Sequence, residues 1–221
     1  MVNNNALVIL SGGQDSSTCL FWALQNFEKV SAISFDYGQR HLNELEAAKY
    51  IAKKAGVPFN LHKINTLASV SKNALTDTTI KVKENVNPGQ PPNTLVEGRN
   101  LLFLTYAAIQ AKQIKADNLI IGVSQTDYSG YPDCRYGFIK SANATLNLAM
   151  DHEFAVYTPL MWKNKAETWQ MAAELGVFEI IKDYTVTCYH GMPGDGCGKC
   201  PACKLRNAGL EEFINTATET K

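Results

Sequence analysis

Residues 6–10, Ala-Leu-Val-Ile-Leu, run straight into Ser11-Gly12-Gly13 and then into Asp15, Ser16 and Ser17. So short and uniformly apolar a run predicts a strand buried on both faces, which is the habit of parallel sheets. The glycines let the backbone turn tightly and come close to a ligand. Beyond them, Cys19, Leu20, Trp22, Ala23, Leu24 and Phe27 recur at helical spacing over 15–27. The same alternation continues. Strands are expected at 30–35, 59–64 and 119–123, and helices at 41–55, 101–115, 137–150, 165–175 and 205–214. Gly56 and Gly176 follow two of those helices. Residues 71–94 lack periodicity and include Asn87-Pro88-Gly89-Gln90-Pro91-Pro92, so they read as a long loop or flap. The order predicts an α/β fold, a parallel sheet with helices on both faces. Ligands in such folds sit beyond the carboxyl ends of the strands.

A chain of 221 residues, 45% hydrophobic, has room for one large domain or one domain with a small appendage. The division expected is 1–186 for the α/β domain and 187–221 for a C-terminal appendage. No apolar run reaches the ~18 residues of a membrane span, and no export signal opens the chain, so a cytoplasmic protein with no membrane partner is expected. Lys plus Arg and Asp plus Glu both total 21. That balance removes the strongly basic field expected for gripping nucleic acid, and no stable nucleic-acid complex is expected.

Free backbone N–H groups and the helix dipole make the turn at 11–17 a site for an anion. The hydroxyls of Ser11, Ser16 and Ser17 can add hydrogen bonds, and Asp15 fits among phosphates only with a cation such as Mg²⁺ between. The Gly-Lys-Ser/Thr of a P-loop is missing, as is G-x-G-x-x-G. An ordinary strand-to-helix turn capped by Asp15 is the plain alternative. The pattern S-G-G-x-D-S resembles the loop of the N-type ATP pyrophosphatases, which cleave ATP between its α and β phosphates. After the second strand, Phe35-Asp36-Tyr37-Gly38-Gln39-Arg40-His41 is placed to frame adenine or ribose, although Tyr37 reads equally well as core. A protonated His41 is a candidate phosphate donor, and Arg99 is a candidate for phosphate charge or a plain surface residue.

Cys188, Cys197, Cys200 and Cys203 crowd into sixteen residues. Four thiolates suffice for a closed tetrahedral Zn²⁺ site of structural role, with an iron–sulfur cluster as the alternative. Cys19 reads as core. Cys134 has no evident His partner for nucleophilic chemistry.

Residues 122–135 pack Asp127, Tyr131, Asp133 and Arg135 behind a predicted strand, either as a plain polar loop or as a cradle for a planar polar ligand. Taken together, SGGQDSS at 11–17, FDYGQRH at 35–41, GRN at 98–100, GVSQTDYSGYPDCR at 122–135, TPLMWKNKAET at 158–168 and the cysteine stretch 188–206 resemble the 7-cyano-7-deazaguanine synthases of queuosine-precursor biosynthesis. The resemblance spans nearly the whole chain. It implies a Rossmann-like fold of the adenine nucleotide alpha hydrolase type, with a small C-terminal Cys₄ zinc-binding region. The implied reaction is ATP-dependent ligation: 7-carboxy-7-deazaguanine and ammonia become the nitrile through an adenylated carboxylate and an adenylated amide, releasing AMP and pyrophosphate. ATP would lie against Leu10, Ser11, Gly12, Gly13, Gln14, Asp15, Ser16, Ser17, Thr18, Cys19 and Leu20, and against Asp36, Tyr37, Gly38, Gln39 and His41. Asp15 would hold Mg²⁺, and Arg99 and Lys165 would stabilise phosphate charge. Asp127, Tyr131, Asp133 and Arg135 would meet the deazaguanine and its carboxylate, and Cys188, Cys197, Cys200 and Cys203 would hold one zinc per chain. A homodimer is implied too. No amidotransferase domain fits beside this one in 221 residues, so free ammonia is the expected nitrogen source. Two other readings stay open: an adenylating enzyme of the same loop class acting on tRNA, and a non-catalytic zinc-containing module that binds nucleotide.

Overall fold

The computed structural model describes residues 4–64, 66–85, 92–126 and 130–219. Five strands form one sheet: β1 (Asn5–Ile9), β2 (Lys29–Asp36), β3 (Phe59–Lys63), β4 (Asn118–Ile121) and β5 (Ala155–Tyr157). Their order is β3-β2-β1-β4-β5, and every pairing is parallel. Parallel neighbours require crossovers. These are α1 (Gln14–Asn26), α2 (Asn43–Ala55), α4 (Arg99–Gln113) and α5 (Tyr136–Met150), with a single-turn α3 (Leu67–Val70) before α4.

The central strand shows why both faces are covered. Leu7 and Ile9 of β1 join Phe103, Leu104, Ala107, Ala108, Ile139 and Leu146 from α4 and α5. Ala6 and Val8, facing the other way, join Cys19, Leu20 and Ala23 of α1 and Ala48, Ile51 and Ala52 of α2. Successive strand side chains point to opposite faces, so a strand covered on both must be apolar throughout. Fully burying one Leu or Ile in such a core contributes about 1.5–3 kcal/mol.

From β1 the chain winds outward through β2 to β3. It then returns through α4 to β4, on the other side of β1. The winding reverses between β1 and β4, and their carboxyl ends open a crevice there. The loop 10–13 leaves β1 at that point.

The expected strands and helices are all present, with ends shifted by a few residues. Besides the single-turn α3, two further elements carried no periodic signal. β5 is three residues long and is fixed by its pairing with β4, not by its own pattern. Helix α7 (Phe178–Tyr184) is seven residues long and packs Ile181 beside Trp169 of α6 (Lys165–Glu174). The last helix, α8 (Pro201–Glu219), starts four residues before its expected beginning; Cys200 directly precedes it and Cys203 lies in its first turn.

Residues 71–85 hold no helix or strand and are anchored. Asn73 Oδ1 accepts the N–H groups of Leu75 and Thr76 at 2.9 and 3.2 Å, and Ala74 N–H reaches Asn93 O at 2.8 Å. Ala74 and Val82 are buried against Cys188, Cys200 and Cys203. Residues 86–91 of the expected flap lie outside the described residues. Among the described residues, no helix is long and apolar enough to cross a membrane.

Candidate active site

The loop after β1 is held by contacts that only glycine permits. Gly12 has φ +87°, and a Cβ there would overlap the Glu44 carbonyl oxygen and come within 2.8 Å of Ala48 N. Gly122, just past β4, is equally close: its Cβ would lie 2.8 Å from Ser16 N and 2.9 Å from the Asp15 carbonyl carbon. The first turn of α1 is therefore wedged between α2 and the end of β4.

The exposed amides of this turn meet small hydroxyls. Ser11 Oγ and Ser16 Oγ are 2.9 Å apart, Ser11 N–H donates to Ser16 Oγ at 3.1 Å, and Gly13 N–H points at Ser11 Oγ at 3.4 Å. Gln14 N–H donates to Thr187 Oγ1 at 3.2 Å, and Val186 N–H to Gly12 O at 2.9 Å. The strand-like stretch before the cysteines thus straps the phosphate loop from outside.

A cleft of about 290 Å³ opens above this turn, walled by residues from both halves of the chain. Its lining comes from three parts of the chain: Leu10, Ser11, Gly13, Gln14, Asp15 and Ser16 after β1, Tyr37, Gln39, Arg40, His41 and Glu44 after β2, and Arg99, Tyr131, Cys134 and Lys165 further on. Several polar atoms of this wall are buried without a partner among the described residues: both amide atoms of Gln14, and Nε of Arg40, Nε2 of His41 and Nε of Arg99. A buried polar group without a partner costs about 1–3 kcal/mol, so a wall that collects them suits a polar ligand.

Lys165 is placed by a capping box at the start of α6. Asn164 Oδ1 accepts Glu167 N–H at 2.8 Å, while Glu167 Oε2 accepts Asn164 N–H at 2.7 Å. Lys165 Nζ then reaches both oxygens of Asp15 at 2.7 Å. The two residues expected to act on phosphate are thus each other's partners. At Arg99, burial works against the charge, but Tyr37, Tyr131 and Asp133 outweigh it and hold the guanidinium above its ordinary range. Burial and the Glu44 carboxylate push Tyr37 up to about 12, so it is a proton donor. Burial, Arg40 and His190 lower the His41 imidazole, which disfavours the protonated form expected to meet phosphate.

Other candidates fall elsewhere. Ser17, Thr18, Cys19 and Leu20 are buried along α1, outside the cleft wall. Thr18 Oγ1 donates to Gln14 O, and Cys19 and Leu20 face the core. Asp36 and Gly38 shape the turn after β2, with Asp36 Oδ1 accepting Gly38 N–H at 3.3 Å, and neither lines the cleft. Tyr131 does line it, its hydroxyl linked to Thr94 Oγ1 at 2.7 Å and to Tyr189 OH at 3.0 Å. Asp133 lies behind the wall. Its Oδ2 accepts Asn100 N–H at 3.0 Å at the start of α4, and its Oδ1 has no partner among the described residues. Arg135 is exposed and lies off the wall. Asp127 lies outside the described residues. Burial and Asp133 push the Cys134 thiol up to about 12, which leaves it a poor nucleophile.

Glu44, Thr187 and Tyr189 are cleft residues that sequence reasoning missed. The available signals were faint: Glu44 follows His41 by three residues, and Thr187 and Tyr189 flank Cys188.

The four thiols of Cys188, Cys197, Cys200 and Cys203 lie within 4.8 Å of one another. Cys197 Sγ accepts the N–H groups of Lys199 and Cys200 at 3.4 Å, and Cys188 Sγ that of His190 at 3.3 Å. Gly196 passes so close that a Cβ would strike Cys203 Sγ. Four converging sulfurs with amide donors behind them fit a tetrahedral thiolate metal site. The same region joins the rest of the fold at α8, where Gly209 lies flat on the Lys165 backbone.

A family model described as "Queuosine biosynthesis protein QueC" matches residues 5–214. A 7-cyano-7-deazaguanine synthase from Bacteroides fragilis is 57% identical over 215 residues, 97% of this chain and 98% of that one. One from Clostridium acetobutylicum is 57% identical over 208 residues, 94% of each chain. In fold, the chain is similar to the NMN synthetase of Francisella tularensis, with a TM-score of 0.55 at 15% identity, covering 97% of this chain and 83% of that one. The match over nearly the whole length, on a fold whose phosphate loop opens at the sheet's reversal point, shows that the chain belongs to the queuosine biosynthesis protein QueC family.

Proposed function

We propose that this chain is an ATP-dependent ligase that converts 7-carboxy-7-deazaguanine and ammonia into 7-cyano-7-deazaguanine, using two ATP and releasing AMP and pyrophosphate. The observation that carries the reading is the convergence of the 11–17 turn, Arg99 and Lys165 on one cleft, in a chain 57% identical to named synthases. Oxide leaves a carboxylate badly. Transfer of AMP to the carboxylate oxygen creates a good leaving group, and ammonia then gives the amide. A second adenylation, on the amide oxygen, allows loss of AMP to leave the nitrile.

The amide of Gly13, whose contact to Ser11 Oγ is long at 3.4 Å, and the hydroxyls of Ser11 and Ser16 hold the departing pyrophosphate. Arg99 and Lys165 oppose the negative charge that builds there, and His41 donates from its ring. The Asp15 carboxylate is a hard oxygen ligand that lines the same cleft as Ser11 and Ser16 and would hold Mg²⁺. Mg²⁺ bound there would neutralise phosphate charge. Tyr131 offers a face to the deazaguanine, and Asp133 serves by fixing the first turn of α4, from which Arg99 projects. Residues 1–186 form the ATP pyrophosphatase unit, and 187–221 hold one structural Zn²⁺ on four cysteines. The chain works in the cytoplasm as a homodimer.

Mass spectrometry of the products from ATP, 7-carboxy-7-deazaguanine and ammonium tests this. AMP, pyrophosphate and the nitrile are expected. ADP would overturn the cleavage site, and absence of nitrile would overturn the substrate.

A further inference from the structure

A carboxylate is out of place in the wall of a triphosphate site, and two lie there, Asp15 and Glu44. Asp15 is matched by Lys165. Glu44 takes part in neither ion pair found among the described residues, Lys165–Asp15 and His152–Asp117. Its position in the first turn of α2 suggests ordinary service to the helix dipole. Glu46, in the same turn and exposed, is placed for that service, whereas Glu44 is half-buried and lines the cleft. The groups around it are the Gln39 amide and the Tyr37 hydroxyl, from the connection after β2, and the Arg99 guanidinium from α4, all of which line the same cleft. Gln39 is itself fixed: its Oε1 accepts Tyr37 N–H at 2.9 Å and its Nε2 donates to Phe35 O at 3.3 Å. The carboxylate therefore stands at the cleft beside an amide, a phenol and a guanidinium, with acceptor capacity to spare.

Resting on the reaction proposed above, we propose that Glu44 receives the ammonium ion in the cleft and takes one of its protons, so that ammonia attacks the adenylated carboxyl carbon. Ammonium has no lone pair and cannot attack. When an N–H proton passes to a Glu44 oxygen, the lone pair is freed and forms the C–N bond. The carbon–oxygen bond to AMP then breaks, its electron pair leaving on the AMP phosphate oxygen. The nitrogen sheds its surplus proton to water, and Glu44 returns its own proton to solvent before the next turnover. Burial makes the carboxylate a stronger base than an exposed glutamate, pushing it up to about 7 against the opposing pull of Arg99 and Gln39. Phosphates arriving in the same cleft shift it further the same way.

The test compares wild type, Glu44→Gln and Glu44→Asp on two substrates with ATP: the 7-carboxy compound with ammonium chloride, and the pre-formed 7-carboxamide without ammonium. For Glu44→Gln at pH 7, the rate from the acid should fall about 10²–10³-fold, the range of a lost general base. The amide should still reach the nitrile within about threefold of wild type, because no ammonium is consumed in that half. As pH rises and free ammonia becomes abundant, the deficit from the acid should shrink, and Glu44→Asp should fall between the two. Equal losses on acid and amide, a deficit independent of pH, or no deficit would overturn the assignment. Wild-type protein that converts neither substrate would instead overturn the parent reaction, and this assignment with it.

Discussion

The Asp15–Lys165 pair allows a sharp prediction, because its two members differ in exposure. The Lys165 side chain is 7% exposed and that of Asp15 is 29% exposed, with Nζ 2.7 Å from the carboxylate. At an effective dielectric of ~20, two unit charges so placed attract by about 6 kcal/mol before desolvation is counted. Bringing the ammonium out of water offsets most of that, and breaking a buried pair costs about 3–5 kcal/mol. Exposure of Asp15 lowers the expected figure. Asp15→Ala strips the carboxylate from the more buried charge and should cost about 3 kcal/mol. Lys165→Met leaves a carboxylate that water can still reach and should cost about 1.5 kcal/mol. The double variant should be more stable than the added single losses imply, by about 1–2 kcal/mol. Urea unfolding of the four proteins without nucleotide checks this, because it separates the pair's structural part from any role in catalysis. Additivity within ~0.5 kcal/mol, or the reverse order of the single losses, would refute the reasoning.

Gly122→Ala places a Cβ 2.8 Å from Ser16 N, so the first turn of α1 must retreat by about half an ångström. We expect a stability loss of about 1–3 kcal/mol by urea unfolding and a KM for ATP raised about tenfold, with an unchanged KM counting against the turn as the ATP site. Metal removal with a chelator, or Cys197→Ser, should lower Tm and also weaken ATP binding, because Val186 and Thr187 join the cysteine region to Gly12 and Gln14. Metal analysis of the purified protein should give one zinc per chain, and a coloured protein would point to iron. Glu44 titrates higher in the fold than its ordinary 4.5, at about 7, so between those values the native state binds more protons than the unfolded one. This group's contribution to stability is therefore present at low pH and is lost as pH rises through that window. Unfolding curves of wild type minus Glu44→Gln should slope downward across it, and a flat difference would contradict the burial argument.

Several features were legible because they depend on short-range physics. A five-residue apolar run followed by two glycines fixes a buried strand and a tight turn wherever it occurs, and the sheet follows from repeating that unit. The cysteine cluster was equally plain, since four ligands within sixteen residues need only a short loop to meet. Asn164 and Glu167 carry a capping signal three residues apart that sequence reasoning passed over. The cleft itself was not local. Asp15 and Lys165 are 150 residues apart and meet where α6 packs against both α1 and α8, with Gly209 of α8 against the Lys165 backbone. Glu44 looks like any first-turn acid until the fold places it in one cleft with Arg99. Asp133 looks like a ligand-reading acid until its Oδ2 is seen holding the amide of Asn100. Sequence alone determined which segments become strand, turn and helix, because hydrophobic period and glycine freedom act within a few residues. Tertiary structure decided which charges face one another, because burial and distance exist only once the chain has closed on itself.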